Sequence, residues 1–131
     1  MGGLAASPTA LRQVALAGGG DLDETLDFWR DVLGLQTHAR FDPPGIAFIM
    51  IGSVRLFFAG GTPPATVYLD EPELLTFADA AAGADVPLMS PPAVMHVDSA
   101  GQFGPAGEAE WMTFLKDPAG NTIGLVARKP G

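Results

Sequence analysis

The sequence predicts an α+β fold in which one β-α-β-β-β unit is written twice, and three observations predict it. Two amphipathic runs open with the same acidic pattern, Asp21-Leu-Asp-Glu24 and Asp70-Glu-Pro-Glu73. Each run ends at a glycine, Gly34 or Gly83, thirteen residues after its Asp. Each is preceded by one short β-like stretch and followed by three more, with Pro43-Pro44 or Pro91-Pro92 at matching places. Agreement of all three at a fixed spacing is the mark of a duplicated unit.

The 131 residues fall within the range of one domain, and 47% hydrophobic against 17% charged residues is a globular composition. With 17 Gly and 12 Pro the chain has the turns that many short strands need. Residues 1–10 read as a flexible N-terminal segment and 11–131 as a single domain, module one spanning about 11–60 and module two about 65–128. Module one opens with Leu11 to Ala17. Asp21 then caps free backbone N–H groups at the start of a helix, and Glu24 reaches back to complete a capping box. Leu22, Leu26, Trp29 and Leu33 form one stripe, widened by Phe28 and Val32, as on a helix packed against a sheet. Gly34 supplies the left-handed turn that ends it. A short second strand around Gln36 to Arg40 follows, then Ile46 to Ile51 and Val54 to Ala59 about Gly52-Ser53.

Gly60 to Pro64 links the copies. Module two repeats the order with Ala65 to Leu69 and a helix capped by Asp70 and Glu73, its apolar face weaker. Pro72 suits the first turn, where its missing N–H costs nothing. A stretch around residues 93–97, Trp111 to Leu115 and Thr122 to Ala127 complete it, the last two joined by Asp117-Pro-Ala-Gly-Asn121.

Several function classes are excluded. Without cysteine there is no disulfide scaffold, thiolate metal site or Cys nucleophile. A net charge of -8 opposes nucleic acid and anionic membrane as partners. MGGLAASPTA has no basic residue and leads into no apolar h-region, and Ala6 stands where an N-myristoylation signal needs Ser or Thr. No run approaches the roughly 18 apolar residues needed to cross a bilayer. A cytoplasmic protein is the expectation.

Phe28-Trp-Arg-Asp-Val-Leu-Gly34 resembles the F-Y-R-D-V-L-G helix end of the glyoxalase/bleomycin-resistance/dioxygenase (vicinal-oxygen-chelate) superfamily, with Trp29 in the tyrosine position. Lys116-Asp-Pro-Ala-Gly-Asn121, followed by Ile123 and Leu125, resembles that superfamily's D-P-D-G-N turn into its last strand. With the repeat, the resemblance covers roughly residues 11 to 128. It implies two βαβββ modules whose eight strands curl into a cup, helices outside and ligand inside, and a homodimer as the assembly.

In enzymes of this superfamily a divalent metal is typically held by His, Glu or Gln on the first and last strand of each module. The resemblance places those positions at Gln13, at Leu56 or Phe57, at Thr66 and at Gly124. Gln13 is a weak ligand, Thr66 a poor one, and the others offer no donor. No cofactor is therefore expected, and a glyoxalase- or dioxygenase-type mechanism resting on a Lewis-acid cation is not supported by these residues. A divalent metal recruited elsewhere is the alternative.

The chain has two histidines. His38 sits on the short second strand and reads as solvated. His96 precedes the Gly-rich stretch Asp98 to Gly107. If 93–97 and 110–115 pair as a hairpin, His96 approaches Glu110, and a His–carboxylate pair is a reasonable general base. The other reading makes His96 an anchor at the loop root. Phe103, in mid-loop, either closes over a ligand or pins the loop to the body.

Alternation along the strands suggests the cup interior. Gln13, Ala15 and Ala17 share a face, as do Arg55, Phe57 and Ala59, Thr66 and Tyr68, and Thr122, Gly124 and Val126. The candidate ligand contacts are Gln13, Arg55, Phe57, Tyr68, Phe103 and Trp111, although a strand aromatic is more often core. Arg55 facing inward needs an anionic partner; facing outward it is solvated. Three functions fit: a protein that binds a small organic molecule without metal, an enzyme using His96, Glu110 and Gln13 with or without a recruited divalent metal, and an interaction subunit without ligand.

Overall fold

The computed structural model of the protein describes residues 6–130. The expected flexible segment over 1–10 lies outside the described residues for 1–5, while 6–10 are exposed and belong to no helix or strand. Module one runs β1 (Gln13–Ala17), α1 (Leu22–Asp31), β2 (Ala39–Phe41), β3 (Ile46–Ile51) and β4 (Val54–Ala59). Module two runs β5 (Thr66–Asp70), α2 (Leu74–Gly83), β6 (Ser90–Asp98), β7 (Glu108–Lys116) and β8 (Thr122–Pro130). No helix among the described residues is long and apolar enough to cross a membrane.

The two helices start and stop differently. At α1 the Asp21 carboxylate accepts the Glu24 N–H at 3.2 Å, half of the expected box; among the described residues Glu24 makes no return bond. Gly34, at φ 72°, closes the end by donating to the Arg30 carbonyl. The box expected at Asp70 does not form. Asp70 still pairs with Val126 as the last residue of β5, so the helix begins later, at Leu74, with Glu73 at its cap and no side-chain cap bond. Gly83 is helical, and the left-handed residue that ends α2 is Asp85, at φ 56°.

The strands form two four-stranded mixed sheets, ordered β1-β4-β3-β2 and β5-β8-β7-β6, which pair into a cup rather than a closed barrel. In each sheet the first strand runs parallel to the last and the rest are antiparallel. Pro91-Pro92, expected as a break, lie inside β6. That strand is an edge of its sheet, where the missing N–H need not face a neighbour.

One core serves both modules. Leu16, Leu56 and Phe58 reach it from one sheet, Ile123 and Leu125 from the other, Trp29 and Leu74 from the helices. Burying a side chain of this size contributes roughly 1.5–3 kcal/mol. The two sequence motifs meet here: the Trp29 indole N–H donates to the Asp117 carboxylate at 2.9 Å. Asn121, fully buried, then ties the modules together. Its side chain accepts from the Ala17 N–H at 2.9 Å and the Ala65 N–H at 3.0 Å, and donates to the Ala17 carbonyl at 2.8 Å.

Candidate functional site

The buried faces of the strands look toward the core and helices, so the alternate residues line the cup. On module one these are Gln13 and Ala15 of β1, Arg55 and Phe57 of β4, and Phe48 and Met50 of β3. Register sets them side by side: Gln13 opposite Arg55, Ala15 opposite Phe57, Phe57 opposite Phe48. The Phe48 and Phe57 rings lie 5.3 Å apart, and Phe41 meets Phe48 edge-on at 6.2 Å. The Arg55 guanidinium sits 5.5 Å above the Phe48 ring, a cation–π contact, and the residue is exposed.

Module two repeats the register with other residues. Thr66 lies opposite Thr122, Tyr68 opposite Gly124, and Gly124 opposite Phe114. Tyr68 is 60% exposed and stands edge-on to Phe114, with ring centroids 5.9 Å apart. Matching the registers makes Gln13 equivalent to Thr66 and Phe57 equivalent to Gly124. Of the two residues expected at the end of module one, Phe57 therefore faces the cup, while Leu56 points into the core at 3% exposure.

These positions do not fit a metal. Their donors are one amide and one hydroxyl, from Gln13 and Thr66, and hard or borderline cations are held by carboxylates and imidazoles. At Gly124 the space for a ligating side chain is filled. A Cβ there would come within 2.7 Å of the Tyr68 ring and 2.9 Å of Phe114.

The hairpin of β6 and β7 does bring His96 opposite Glu110. The Glu110 carboxylate, however, is taken by Arg128, whose Nη1 lies 2.7 Å away, and no hydrogen bond joins His96 to Glu110 among the described residues. His96 is exposed, its ring 6.4 Å from that of Phe103. Phe103 is 74% exposed. The pins are Asp98 and Arg128. The Asp98 carboxylate accepts the N–H groups of Gln102 and Phe103 at 2.8 and 2.9 Å and faces Arg128 at 2.9 Å. The Phe103 N–H above all, with Gln102 and Arg128, outweighs desolvation and lowers the Asp98 carboxyl to about 2. Arg128 also binds Glu108 at 2.9 Å, and its carboxylate partners push its own ionisation upward.

Trp111 lies on the other face of β7. It pairs with buried Ala127 and packs against the core, on the face away from Glu110 and Met112. Arg128 was missed because the last strand was expected to end at Ala127. Two more residues of the Gly124–Val126 alternation lead to it. Where the modules meet, a groove of about 350 Å³ is lined by Leu11, Val14, Ile51, Val54, Thr66 and Tyr68.

The sequence model of the Glyoxalase/Bleomycin resistance protein/Dioxygenase superfamily matches residues 11–125. No curated protein matches the chain. Among solved structures the fold is shared with a lactoylglutathione lyase from Agrobacterium tumefaciens, at 18% identity and a TM-score of 0.68, covering 92% of this chain and 94% of that one. A superfamily member from Sphaerobacter thermophilus has 17% identity and a TM-score of 0.69, with 92% and 98% covered. A glyoxalase/bleomycin resistance protein/dioxygenase from Nocardioides has 17% identity and a TM-score of 0.64, with 98% and 91% covered.

Proposed function

The chain belongs to the glyoxalase/bleomycin resistance protein/dioxygenase superfamily, and we propose that it is a member that binds a small organic molecule in its cup without a metal. One observation carries this reading: at Gly124 the place of a ligating carboxylate is closed by Tyr68 and Phe114. The cup is lined instead by partly exposed aromatic rings, with Gln13, Thr66 and Arg55 as polar groups. Such a surface holds planar apolar compounds by stacking and selects among them by a few hydrogen bonds.

The enzymatic alternative, proton transfer by His96 and Glu110 with Gln13, is less well supported. Glu110 is held by Arg128, and Gln13 lies on the other sheet. A homodimer remains part of the proposal, because Phe41 and Tyr68 are both more than half exposed on the cup-lining faces, which a second copy would cover. Light scattering of the purified protein tests that part, and a monomer at all concentrations contradicts it.

Binding is tested by titrating planar aromatic compounds into protein stripped with a chelator and into protein supplied with Mn²⁺, Ni²⁺ or Zn²⁺. The expected result is saturable binding of equal affinity in both. Binding that appears only with a divalent cation overturns the reading.

A further inference from the structure

We propose that the module-one face of the cup is a site for a planar aromatic carboxylate, with Arg55 receiving the carboxylate and Phe48 and Phe57 receiving the ring; this rests on the small-molecule reading above. The charge distribution leads to it. The chain carries a net charge of -8, yet no strand of module one contains an Asp or Glu: they read QVALA, ARF, IAFIMI and VRLFFA. Arg30 and Arg40 are each paired with two carboxylates and Arg128 with three. Arg55 has no ion-pair partner among the described residues and rests on the Phe48 ring. Arg12 begins from the same corner, its carbonyl accepting the Arg55 N–H at 2.9 Å.

A free guanidinium is a two-pronged donor that matches a carboxylate, and a charge-assisted pair of this kind is stronger than a neutral hydrogen bond. Gln13, beside Arg55 in the register, adds an amide donor. From that anchor, a planar ring attached to the carboxylate lies along the Phe48–Phe57 pair, whose rings are tilted by only 32°. An acidic protein repels anions at long range, so an anionic ligand needs a local cation. Arg55 supplies it on the one sheet that has no acid of its own. A cationic ring would instead be set against Arg55, and a neutral one would leave the guanidinium unused.

The test is calorimetric titration of the full chain with sodium 2-naphthoate, 2-naphthamide and 2-naphthylmethylammonium. Naphthoate is expected to saturate one site per chain. The amide is expected about tenfold weaker, as loss of a charge-assisted contact implies, and the ammonium weaker still. Arg55→Gln should weaken naphthoate about tenfold and the amide by much less, since only the acid loses a charge-assisted contact. Because Arg55 is exposed, an unchanged near-ultraviolet circular dichroism spectrum is expected for that variant.

Equal affinity for acid and amide, or naphthoate binding indifferent to Arg55→Gln, overturns the assignment to carboxylates. If both compounds then still lose affinity on Phe48→Ala, the small-molecule reading stands and only the ligand class is wrong. If neither compound binds, or binding is indifferent to Phe48→Ala as well, this site and the broader reading of this face fall together.

Discussion

Modules one and two share their element order, sheet topology and strand register, yet they close the same slot from opposite strands. In module one the cross-strand pair is Ala15 on β1 and Phe57 on β4; in module two it is Tyr68 on β5 and Gly124 on β8. Each pair joins one small residue to one aromatic; Phe57 meets Phe48 of the adjacent strand, whereas Tyr68 reaches across Gly124 to Phe114, two strands away. The polar neighbour differs too: Arg55 stands where module two has Thr122, and the arginine of module two, Arg128, is locked among Asp98, Glu108 and Glu110. A duplicated scaffold fixes where a side chain points but not what chemistry it brings. Here one face keeps an arginine above a ring, and the other uses its arginine to hold a loop.

The largest expected effect comes from breaking the joint between the modules. Asn121→Ala leaves the Ala17 and Ala65 backbone groups without their partner and should cost about 3 kcal/mol in urea unfolding. The corresponding turn of module one is a plain two-residue link, so Ser53→Ala should stay within about 0.5 kcal/mol. Equal effects would show that the modules are not joined as described.

Next is the filled slot. Gly124→Ala places a Cβ against Tyr68 and Phe114 and should destabilise by about 1–3 kcal/mol. Tyr68→Ala in the same chain should recover most of that loss, because it removes the nearer ring. A double variant no better than Gly124→Ala would mean that the Phe114 ring, 2.9 Å from the added Cβ, sets the limit.

The smallest effect concerns the loop. With its carboxyl held at about 2 in the folded chain against an ordinary 3.8, Asp98 contributes stability that is complete above the ordinary value. That contribution is lost as pH falls from about 3.8 towards 2. The amide resonances of Gln102 and Phe103 should therefore shift with a midpoint near 2, while those of module one's β3 stay still over the same interval. A midpoint at the ordinary carboxylate value would show that Asp98 does not hold the loop.

Much of this was legible in the sequence, and the failures have physical causes. β3 and β4 have the expected bounds because Gly52-Ser53 is a compact turn between two strongly apolar runs. Helix α1 was readable from its cap, its stripe and Gly34. At α2 the same acidic letters serve another purpose, since Asp70 remains in the sheet. The face of Trp111 depended on register, and register depends on partners distant in sequence. Gly124 was recognised as a missing ligand, but that Tyr68 and Phe114 fill the gap required three strands to be in place. Arg55 could not be oriented from local pattern, because both faces of its strand are largely apolar.

The central claim, a cup that binds without metal, is tested most directly by metal content. Protein purified without chelator, dialysed, and analysed by inductively coupled plasma mass spectrometry should carry well below one divalent ion per chain. Titration with Mn²⁺, Ni²⁺ or Zn²⁺ should show no saturable site that Gln13→Ala or Thr66→Ala abolishes. One tightly held divalent ion per chain, released by either substitution, would contradict the account.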